Sequence, residues 1–202
     1  MIYVDTPHGR AAILDASGLG DADVHPGERA IADALSPVRR RDWIAGRAAL
    51  RALLPDAGAI LRDDRGAPVL PAGWVGSISH KHARAAALAA PDAGARVGVD
   101  LEVAAPPRID VSRRVLTDAE RAALPAGDGR AVTLRFAIKE AVYKAVDPFV
   151  RRYVGFHEVE LDVAADGACA VRSALPFAIA AWWGERDGHW LATATARPTS
   201  GA

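Results

Sequence analysis

The chain of 202 residues carries 25 Lys and Arg residues against 25 Asp and Glu residues, so its formal net charge at pH 7 is zero when histidine is neutral. This balance argues against a general nucleic-acid binder, which needs an excess of positive charge. Hydrophobic residues make up 50% of the chain and charged residues 25%, a composition typical of a folded globular protein with one domain or two small ones.

The chain shows no sequence signal for export or membrane insertion. Its N-terminal residues, Met1 to Asp5, lack the basic and apolar segments of a signal peptide, and no apolar run reaches the length of a transmembrane helix. The single cysteine, Cys169, excludes an internal disulfide framework and is expected to be a small residue of a strand or core. We therefore expect a cytoplasmic protein without membrane contact.

The first half is predicted to begin with a short strand and two helices, near residues 27–35 and 37–54. Ser36 as N-cap and Pro37 at the first helical position mark the start of the second helix. Arginines recur along this helix, and their guanidinium groups are suited to grip phosphate oxygens. A basic, solvated helix surface is the alternative interpretation. The arginines are Arg39, Arg40, Arg47 and Arg51.

A loop with glycine and proline follows this helix and leads into a short strand. The loop contains the run Arg65 to Pro68, and the strand, Trp74 to Ser79, ends beside His80 and Lys81. The hydroxyl, imidazole and ammonium groups at this end are hydrogen-bond donors that suit phosphate oxygens. An ordinary turn without a binding role is the alternative interpretation.

The alanine-rich run 83–90 is predicted to be a strand that forms a hairpin-like pair with a further strand near residues 97–103. In that further strand, Asp100 and Glu102 share one face with Gly98, while the alternate residues are apolar. Two carboxylates beside a glycine that leaves room for a ligand can hold Mg²⁺, which prefers hard oxygen ligands. A half-buried strand with a solvated acidic face is the alternative interpretation.

A proline-containing linker, residues 104–107, is predicted to separate the two halves of the chain. In the second half, Thr117 and Glu120 form the capping-box pattern of a helix start, and Asp187 followed by Gly188 indicates a final hairpin. The predicted helices lie near residues 109–115, 117–124 and 129–147, and the predicted strands near residues 157–163, 168–173, 177–185 and 189–196.

The predicted helix 129–147 carries the most informative chemical pattern. Because successive helical residues are turned by about 100°, Glu140 and Lys144 lie one turn apart on the same face, and Lys139 flanks Glu140 on the other side. A carboxylate between two ammonium groups suits a metal-bound phosphate ester. The alternative is an exposed glutamate–lysine pair, which stabilises a helix by only a few tenths of a kcal/mol.

Taken together and in this order, these segments resemble the Sfp-type 4′-phosphopantetheinyl transferases, the larger, two-subdomain class of that superfamily. The resemblance depends on the arginine helix, the loop with the Ser-His strand end, and above all the paired Gly-x-Asp-x-Glu and Lys-Glu-x-x-x-Lys signatures. It covers roughly residues 30 to 196. Two departures are Phe136, where many relatives carry tryptophan, and the loop aromatic, which comes only at Trp74.

The resemblance implies an α+β fold with two pseudo-related subdomains. Each is expected to be a helix packed on a small, mainly antiparallel sheet, with the active site at their interface. We assign the arginine helix, the Ser-His loop and the Gly-x-Asp-x-Glu strand to an N-terminal subdomain, residues 1–103. The Lys-Glu-x-x-x-Lys helix and the last strands form a C-terminal subdomain, residues 104–202. The predicted elements agree, because each half combines helices with several strands.

The resemblance also implies a reaction, the transfer of the phosphopantetheine arm of coenzyme A to a serine of an acyl or peptidyl carrier protein, with release of adenosine 3′,5′-bisphosphate. On this basis Asp100, Glu102 and Glu140 hold Mg²⁺ on the pyrophosphate. Asp100, Glu140 and Lys144 are the expected catalytic residues: Lys144 contacts the transferring phosphate, Lys139 assists, and Glu140 is a candidate base. The expected coenzyme A-binding residues are Arg39, Arg47, Arg65, Gly66, Ala67, Pro68, Ser79, His80, Asp100, Lys139, Glu140 and Lys144.

Two other functions stay compatible with the same residues. One is a different Mg²⁺-dependent transferase or hydrolase that acts on phosphoanhydrides, and the other is a non-catalytic coenzyme A-binding protein. The sequence does not identify the carrier, because those of fatty-acid, polyketide and non-ribosomal peptide biosynthesis all present a similar serine. Its expected contact regions are residues 104–125 and 145–156. We expect a monomer, because one chain holds both halves of the signature.

Overall fold

The chain divides into two compact units, Met1–Ala93 and Gly94–Ala202, of which the computed structural model describes residues 1–54 and 56–199. Each unit combines helices with an antiparallel sheet, which confirms the predicted α+β class. Among the described residues, none of the helices is both long and apolar enough to cross a membrane.

The first unit is a small sheet covered by one long helix. Its elements are β1 (Ile2–Thr6), β2 (Gly9–Asp15), α1 (Arg29–Asp33), α2 (Pro37–Leu53), β3 (Trp74–Lys81) and β4 (Arg84–Pro91), with short 3₁₀ turns at Asp21–Asp23 and Pro26–Glu28. The antiparallel sheet has the order β1-β2-β4-β3. Leu50 of α2 shares a core cluster with Ala87 and Ala89 of β4, because the small side chains of this strand let the helix lie close. The alanine-rich run is therefore a strand, as predicted.

The second unit has a larger sheet and a longer helix. Its elements are β5 (Arg96–Val103), α3 (Ser112–Val115), α4 (Asp118–Ala123), α5 (Gly129–Val150), β6 (Val159–Val163), β7 (Ala168–Ser173), β8 (Phe177–Arg186) and β9 (His189–Pro198). The antiparallel strands have the order β5-β9-β8-β7-β6. Helix α5 supplies fully buried residues such as Ile138 and Val142 to the main core. Thr117 and Glu120 form the predicted capping box at the start of α4.

The structure corrects the predicted pairing of strand β5. Sequence patterns pair this strand with the alanine-rich strand and assign it to residues 1–103, whereas it pairs with β9, with Asp100 opposite Ala192, and belongs to the second unit. The reason is that β4 already has a partner on both edges, β2 and β3. Only one short N-terminal strand was expected, so β2 was missed. The first sheet therefore gains β2 and lacks β5, and the two sheets contain four and five strands.

Candidate active site

The close packing of strand β5 against helix α5 creates the candidate site. At Gly98 the helix is so near that an added Cβ would overlap the carbonyl oxygen of Ala141 and lie 2.9 Å from the amide nitrogen of Ala145. The interpretation of Gly98 as space for a ligand is therefore wrong, because helix α5 itself fills this space. The acidic residues of β5 are thereby brought beside the glutamate and lysine of α5.

Lys144 joins the helix to the strand. Its Nζ donates hydrogen bonds to Asp100 Oδ1 at 2.8 Å and to the carbonyl oxygen of Val99 at 2.9 Å. The side chain of Asp100 is 7% exposed and that of Lys144 is 26% exposed, so the ion pair is largely shielded while the ammonium group keeps some access to solvent. An ammonium group held in this way has a third hydrogen to donate to a phosphate oxygen.

Glu140 lies one helical turn before Lys144 and is half-buried. None of the described residues donates a hydrogen bond to its carboxylate. Burial raises the pKa of Glu140 above its ordinary value, and Asp100 raises it further. The neighbouring charge of Lys144 lowers this pKa, and Glu102 adds a smaller increase. The charges of Asp100, Lys144 and Glu102 therefore all act on the Glu140 carboxylate.

The chemistry of this donor set fits a divalent cation. Asp100, Glu102 and Glu140 outnumber the single ammonium group of Lys144, so these groups carry an excess of negative charge when ionised, and carboxylate oxygens are ligands that Mg²⁺ prefers. In the part of the chain that the structure describes, no three His, Cys, Asp or Glu side chains form a ready-made metal site, and Lys144 already binds one oxygen of Asp100. Binding of Mg²⁺ by Asp100, Glu102 and Glu140 therefore stays a prediction.

Lys139 points away from this cluster into the core of the second unit. The residue is 2% exposed, and its Nζ donates hydrogen bonds to the carbonyl oxygens of Val115 and Phe156, each at 2.9 Å, and to Glu120 Oε2 at 2.6 Å. Burial lowers the pKa of the Lys139 ammonium group, and the hydrogen bond to Glu120 opposes this effect. The structure thus separates Lys139 from the cluster with which the sequence pattern groups it.

Glu120 has a role that the sequence pattern does not reveal. The capping box predicts only a local contact, but the Glu120 side chain is 1% exposed and accepts three hydrogen bonds. The donors are the backbone nitrogens of Thr117 at 2.7 Å and Leu161 at 2.9 Å, and Lys139 Nζ at 2.6 Å. Glu120 therefore joins α4, α5 and β6. A capping-box pattern contains no signal for contacts so distant in the sequence.

Phe136 packs against a second aromatic ring of the second unit. Its ring lies 5.5 Å from that of Phe156, measured between centroids, and both rings border a core cluster that contains Val115 and Leu116. Phenylalanine thus anchors this part of α5 by packing.

The two arginines of α2 that are expected to bind coenzyme A differ in their surroundings. Arg39 is exposed. Arg47 is 4% exposed; its guanidinium carbon lies 3.0 Å from the ring centroid of Trp43, and its Nε donates a hydrogen bond to the carbonyl oxygen of Ile60 at 2.9 Å. Burial lowers the pKa of Arg47 to about 10. Arg39 is thus open to solvent, whereas Arg47 is engaged within the first unit.

The loop expected to shape the adenine pocket forms a tight turn. Asp63 Oδ1 accepts hydrogen bonds from the backbone nitrogens of Arg65 and Ala67, both at 2.9 Å. Gly66 has a φ of +90°, a conformation that glycine adopts readily, and Pro68 closes the turn through an isolated β-bridge. The run therefore has a defined shape, with Arg65 exposed near its tip.

Ser79 and His80 occupy neighbouring positions of β3 with opposite exposure. Ser79 is buried, whereas His80 is exposed. The ring of His80 lies so near α2 that a Cβ added at Gly46 would be 2.8 Å from its Nε2. Gly46 therefore lets the arginine helix and the Ser-His strand end pack closely within the first unit, which the sequence pattern alone does not show.

The lysine–carboxylate cluster on a helix and a strand of an α+β unit is typical of an enzyme that acts on a metal-bound phosphate group. Comparison with known proteins identifies the family within this class. Residues 96–195 match the model of the 4′-phosphopantetheinyl transferase superfamily, and residues 26–90 match that of the 4′-phosphopantetheinyl transferase N-terminal domain. The chain belongs to the 4′-phosphopantetheinyl transferase superfamily, as the resemblance indicated.

Individual relatives agree with this assignment. The chain is 36% identical over 148 residues to the 4′-phosphopantetheinyl transferase Npt of Nocardia iowensis, an alignment that covers 70% of this chain and 67% of the relative. It is 33% identical over 136 residues to PptT of Mycobacterium tuberculosis, covering 63% of this chain and 60% of the relative. Identity to Svp of Streptomyces mobaraensis is 34% over 160 residues, covering 74% of this chain and 64% of the relative.

Among solved structures, a holo-(acyl-carrier-protein) synthase from Bacillus anthracis aligns with 51% of this chain and 96% of its own length. The identity is 23% and the TM-score 0.41.

Proposed function

We propose that this protein transfers the 4′-phosphopantetheine arm of coenzyme A to a serine of an acyl or peptidyl carrier protein. The serine oxygen forms a bond to the phosphorus that carries the pantetheine arm, the bond from this phosphorus to the bridging oxygen breaks, and adenosine 3′,5′-bisphosphate leaves. The main support is the packing at Gly98, which brings the carboxylates of β5 beside Glu140 and Lys144, in a chain that belongs to this superfamily.

In this proposal Asp100, Glu102 and Glu140 hold Mg²⁺. When bound, Mg²⁺ supplies positive charge that stabilises the pyrophosphate and the leaving oxygen. Burial is the main cause of the raised pKa of Glu140, and the charges of Asp100 and Glu102 add to it, so binding of a divalent cation is expected to relieve the repulsion among these carboxylates. Asp100 would contribute its carboxylate to the cation beside the hydrogen bond that it accepts from Lys144.

Lys144 is proposed to donate a hydrogen bond to the transferring phosphate. Its other hydrogen bonds, to Asp100 and to the carbonyl oxygen of Val99, fix the direction of the ammonium group before substrate arrives. A preorganised cation of this kind stabilises charge that develops in the transition state without reorganisation during the reaction. Glu140 is also proposed to accept the serine proton, directly or through a water.

The first unit is proposed to supply the groups that bind the nucleotide end of coenzyme A. Arg39 and Arg65 are exposed guanidinium groups that can bind phosphate bidentately. Ser79 and His80 are proposed to bind phosphate oxygens, with Arg47 as a nearby cation. The wall of the adenine pocket is proposed to consist of Gly66, Ala67 and Pro68. Lys139 is not proposed to contact the substrate, because the three hydrogens of its ammonium group already have protein acceptors.

Mass spectrometry of a purified carrier protein tests this function. After incubation with the enzyme, coenzyme A and Mg²⁺, the carrier should gain the mass of one phosphopantetheine arm, and a serine-to-alanine carrier should gain nothing. Release of adenosine 3′,5′-bisphosphate without carrier modification would indicate a hydrolase, and coenzyme A binding without any product would indicate a non-catalytic binding protein. A parallel panel of fatty-acid, polyketide and non-ribosomal peptide carriers identifies the class of partner. The cytoplasmic location and the monomeric state expected from the sequence stay predictions.

A further inference from the structure

Glu28 is a buried carboxylate that the proposed reaction does not use. It ends the 3₁₀ turn Pro26–Glu28 and is 1% exposed. Its Oε1 accepts hydrogen bonds from Arg51 Nη1 at 2.5 Å and from the backbone nitrogen of Ile60 at 2.8 Å. Its Oε2 is buried and accepts no hydrogen bond from the described residues. Burial of an incompletely satisfied carboxylate is costly, so a structural function that only this group can perform is expected.

Glu28 and Arg47 hold the backbone of the same residue, Ile60. Ile60 is fully buried; its backbone nitrogen donates to Glu28 Oε1, and its carbonyl oxygen accepts from Arg47 Nε at 2.9 Å. Both polar atoms of this residue's backbone are therefore held by charged side chains. Arg51 connects the same carboxylate to the turn before it, because its Nη2 donates to the carbonyl oxygen of Asp23 at 3.2 Å.

Ile60, whose backbone is hydrogen-bonded by Glu28 and Arg47, lies directly before the loop expected to shape the adenine pocket. In the next residues the chain turns back on itself, and the backbone nitrogen of Val69 donates to the carbonyl oxygen of Leu61 at 3.1 Å. The run from Arg65 to Pro68 forms the end of this turn. The backbone contacts of Ile60 therefore lie directly before this turn.

We propose that Glu28 is a positioning residue for coenzyme A binding. Its carboxylate holds the Ile60 peptide against α2 and thereby sets the place of the loop from Arg65 to Pro68. This inference rests on the proposed function, in which that loop contacts the nucleotide end of coenzyme A. Glu28 itself touches neither substrate nor reacting atoms, so it should affect the binding of coenzyme A and leave the transfer step and the binding of the carrier unchanged.

Two substitutions separate positioning from general stability. Glu28→Ala removes both hydrogen bonds, and we expect the KM and the Kd for coenzyme A to rise by about 10-fold, with kcat and the carrier KM within about twofold of wild type. Glu28→Gln keeps a side-chain oxygen that can accept from the Ile60 amide but loses the charge. Its KM for coenzyme A should therefore lie between that of wild type and that of Glu28→Ala. Isothermal titration calorimetry gives the Kd without turnover, and hydrogen exchange of residues 58–69 should be faster in both variants.

Asp33→Ala is the matched control. Asp33 also pairs with an arginine of α2, Arg40, at 2.9 Å, but it does not contact Ile60, and Arg40 keeps a second partner in Asp21 at 2.8 Å. This variant should leave the KM for coenzyme A and the exchange of residues 58–69 unchanged.

The outcomes distinguish the two proposals. If the wild-type enzyme does not modify any carrier, the proposed function fails, whatever the variants do. If the wild type is active, an unchanged coenzyme A KM in Glu28→Ala overturns the positioning role, as does an equal rise of both KM values. Should Glu28→Ala fail to fold, Glu28→Gln decides in the same way: faster exchange at residues 58–69 with a higher coenzyme A KM supports the role, and wild-type values of both overturn it.

Discussion

Replacement of Gly98 by alanine tests the packing that creates the site. The added Cβ would overlap the carbonyl oxygen of Ala141 and approach the backbone nitrogen of Ala145 to 2.9 Å. Both atoms belong to the backbone of a helix, so no side chain can rotate to make room. Overpacking of a core costs about 1–3 kcal/mol, and a rigid neighbour favours the upper end of this range. We expect the unfolding free energy to fall by about 3 kcal/mol.

The same change should reduce activity through geometry. The clash is relieved only if β5 moves away from α5, which carries Asp100 and Glu102 away from Glu140 and Lys144. A displacement of about 1 Å can lower a rate by about 100-fold, so we expect a loss of this size in kcat measured by the carrier mass-shift assay at a temperature where the variant is folded.

Gly18→Ala provides the control for this experiment, because a Cβ added at Gly18 meets no atom within 4 Å. This exposed variant should stay within about 0.5 kcal/mol of wild type and keep full activity. Wild-type stability and wild-type kcat in Gly98→Ala would refute the reasoning. Lost stability with unchanged kcat would show that the spacing of β5 and α5 does not control the chemistry.

The remaining predictions concern buried or half-buried groups. Lys139→Met leaves the Glu120 carboxylate buried without its cation, so the unfolding free energy measured in denaturant melts should fall by about 3–5 kcal/mol. The double variant Lys139→Met, Glu120→Leu should recover part of this loss. A Lys139→Met variant as stable as wild type would contradict the assigned contacts. Glu140→Gln should lower turnover by about 100-fold or more. The pKa of Glu140 is raised from 4.5, so its ionised form destabilises the fold at neutral pH. Glu140→Gln should therefore melt at a higher temperature than wild type at pH 7 in metal-free buffer, and this difference should disappear below pH 4.5. An unchanged melting temperature at pH 7 would argue against the carboxylate cluster. Burial raises the pKa of the Cys169 thiol to about 12, so iodoacetamide at pH 8 should label this thiol only after unfolding. Mass spectrometry measures the labelling, and rapid labelling of the native protein would contradict the buried position of Cys169.

Local signals predict the elements of this fold well. The helix expected near 129–147 is Gly129–Val150, and the strand expected at 168–173 is Ala168–Ser173, because periodicity and caps act over a few residues. Partnership between strands is not a local property. The alternation in β5 identifies a strand and its acidic face, but the choice between β4 and β9 as its neighbour depends on whether another strand has already taken the edge of β4.

The same distinction explains the mixed result at the candidate site. Alternation places Asp100 and Glu102 on one face of a strand, and helical spacing places Glu140 beside Lys144, so both halves of the cluster are predictable. The role of Gly98 is not, because a glycine that leaves room for a ligand and one that leaves room for a helix look alike in sequence. Only the structure shows that the space is filled by α5.

The Lys-Glu-x-x-x-Lys signature combines two different tasks on one helix. Lys139 and Glu140 are neighbours in the chain but are turned by about 100° from each other, so one meets the core while the other meets the carboxylates of β5. Lys139 holds α5 to the segments that carry Val115, Phe156 and Glu120, and this attachment fixes the position from which Glu140 and Lys144 act. Loss of either lysine should therefore lower activity for different reasons, through stability for Lys139 and through the transfer step for Lys144. Kinetic measurements separate the two only when each variant's unfolding free energy is measured beside its kcat.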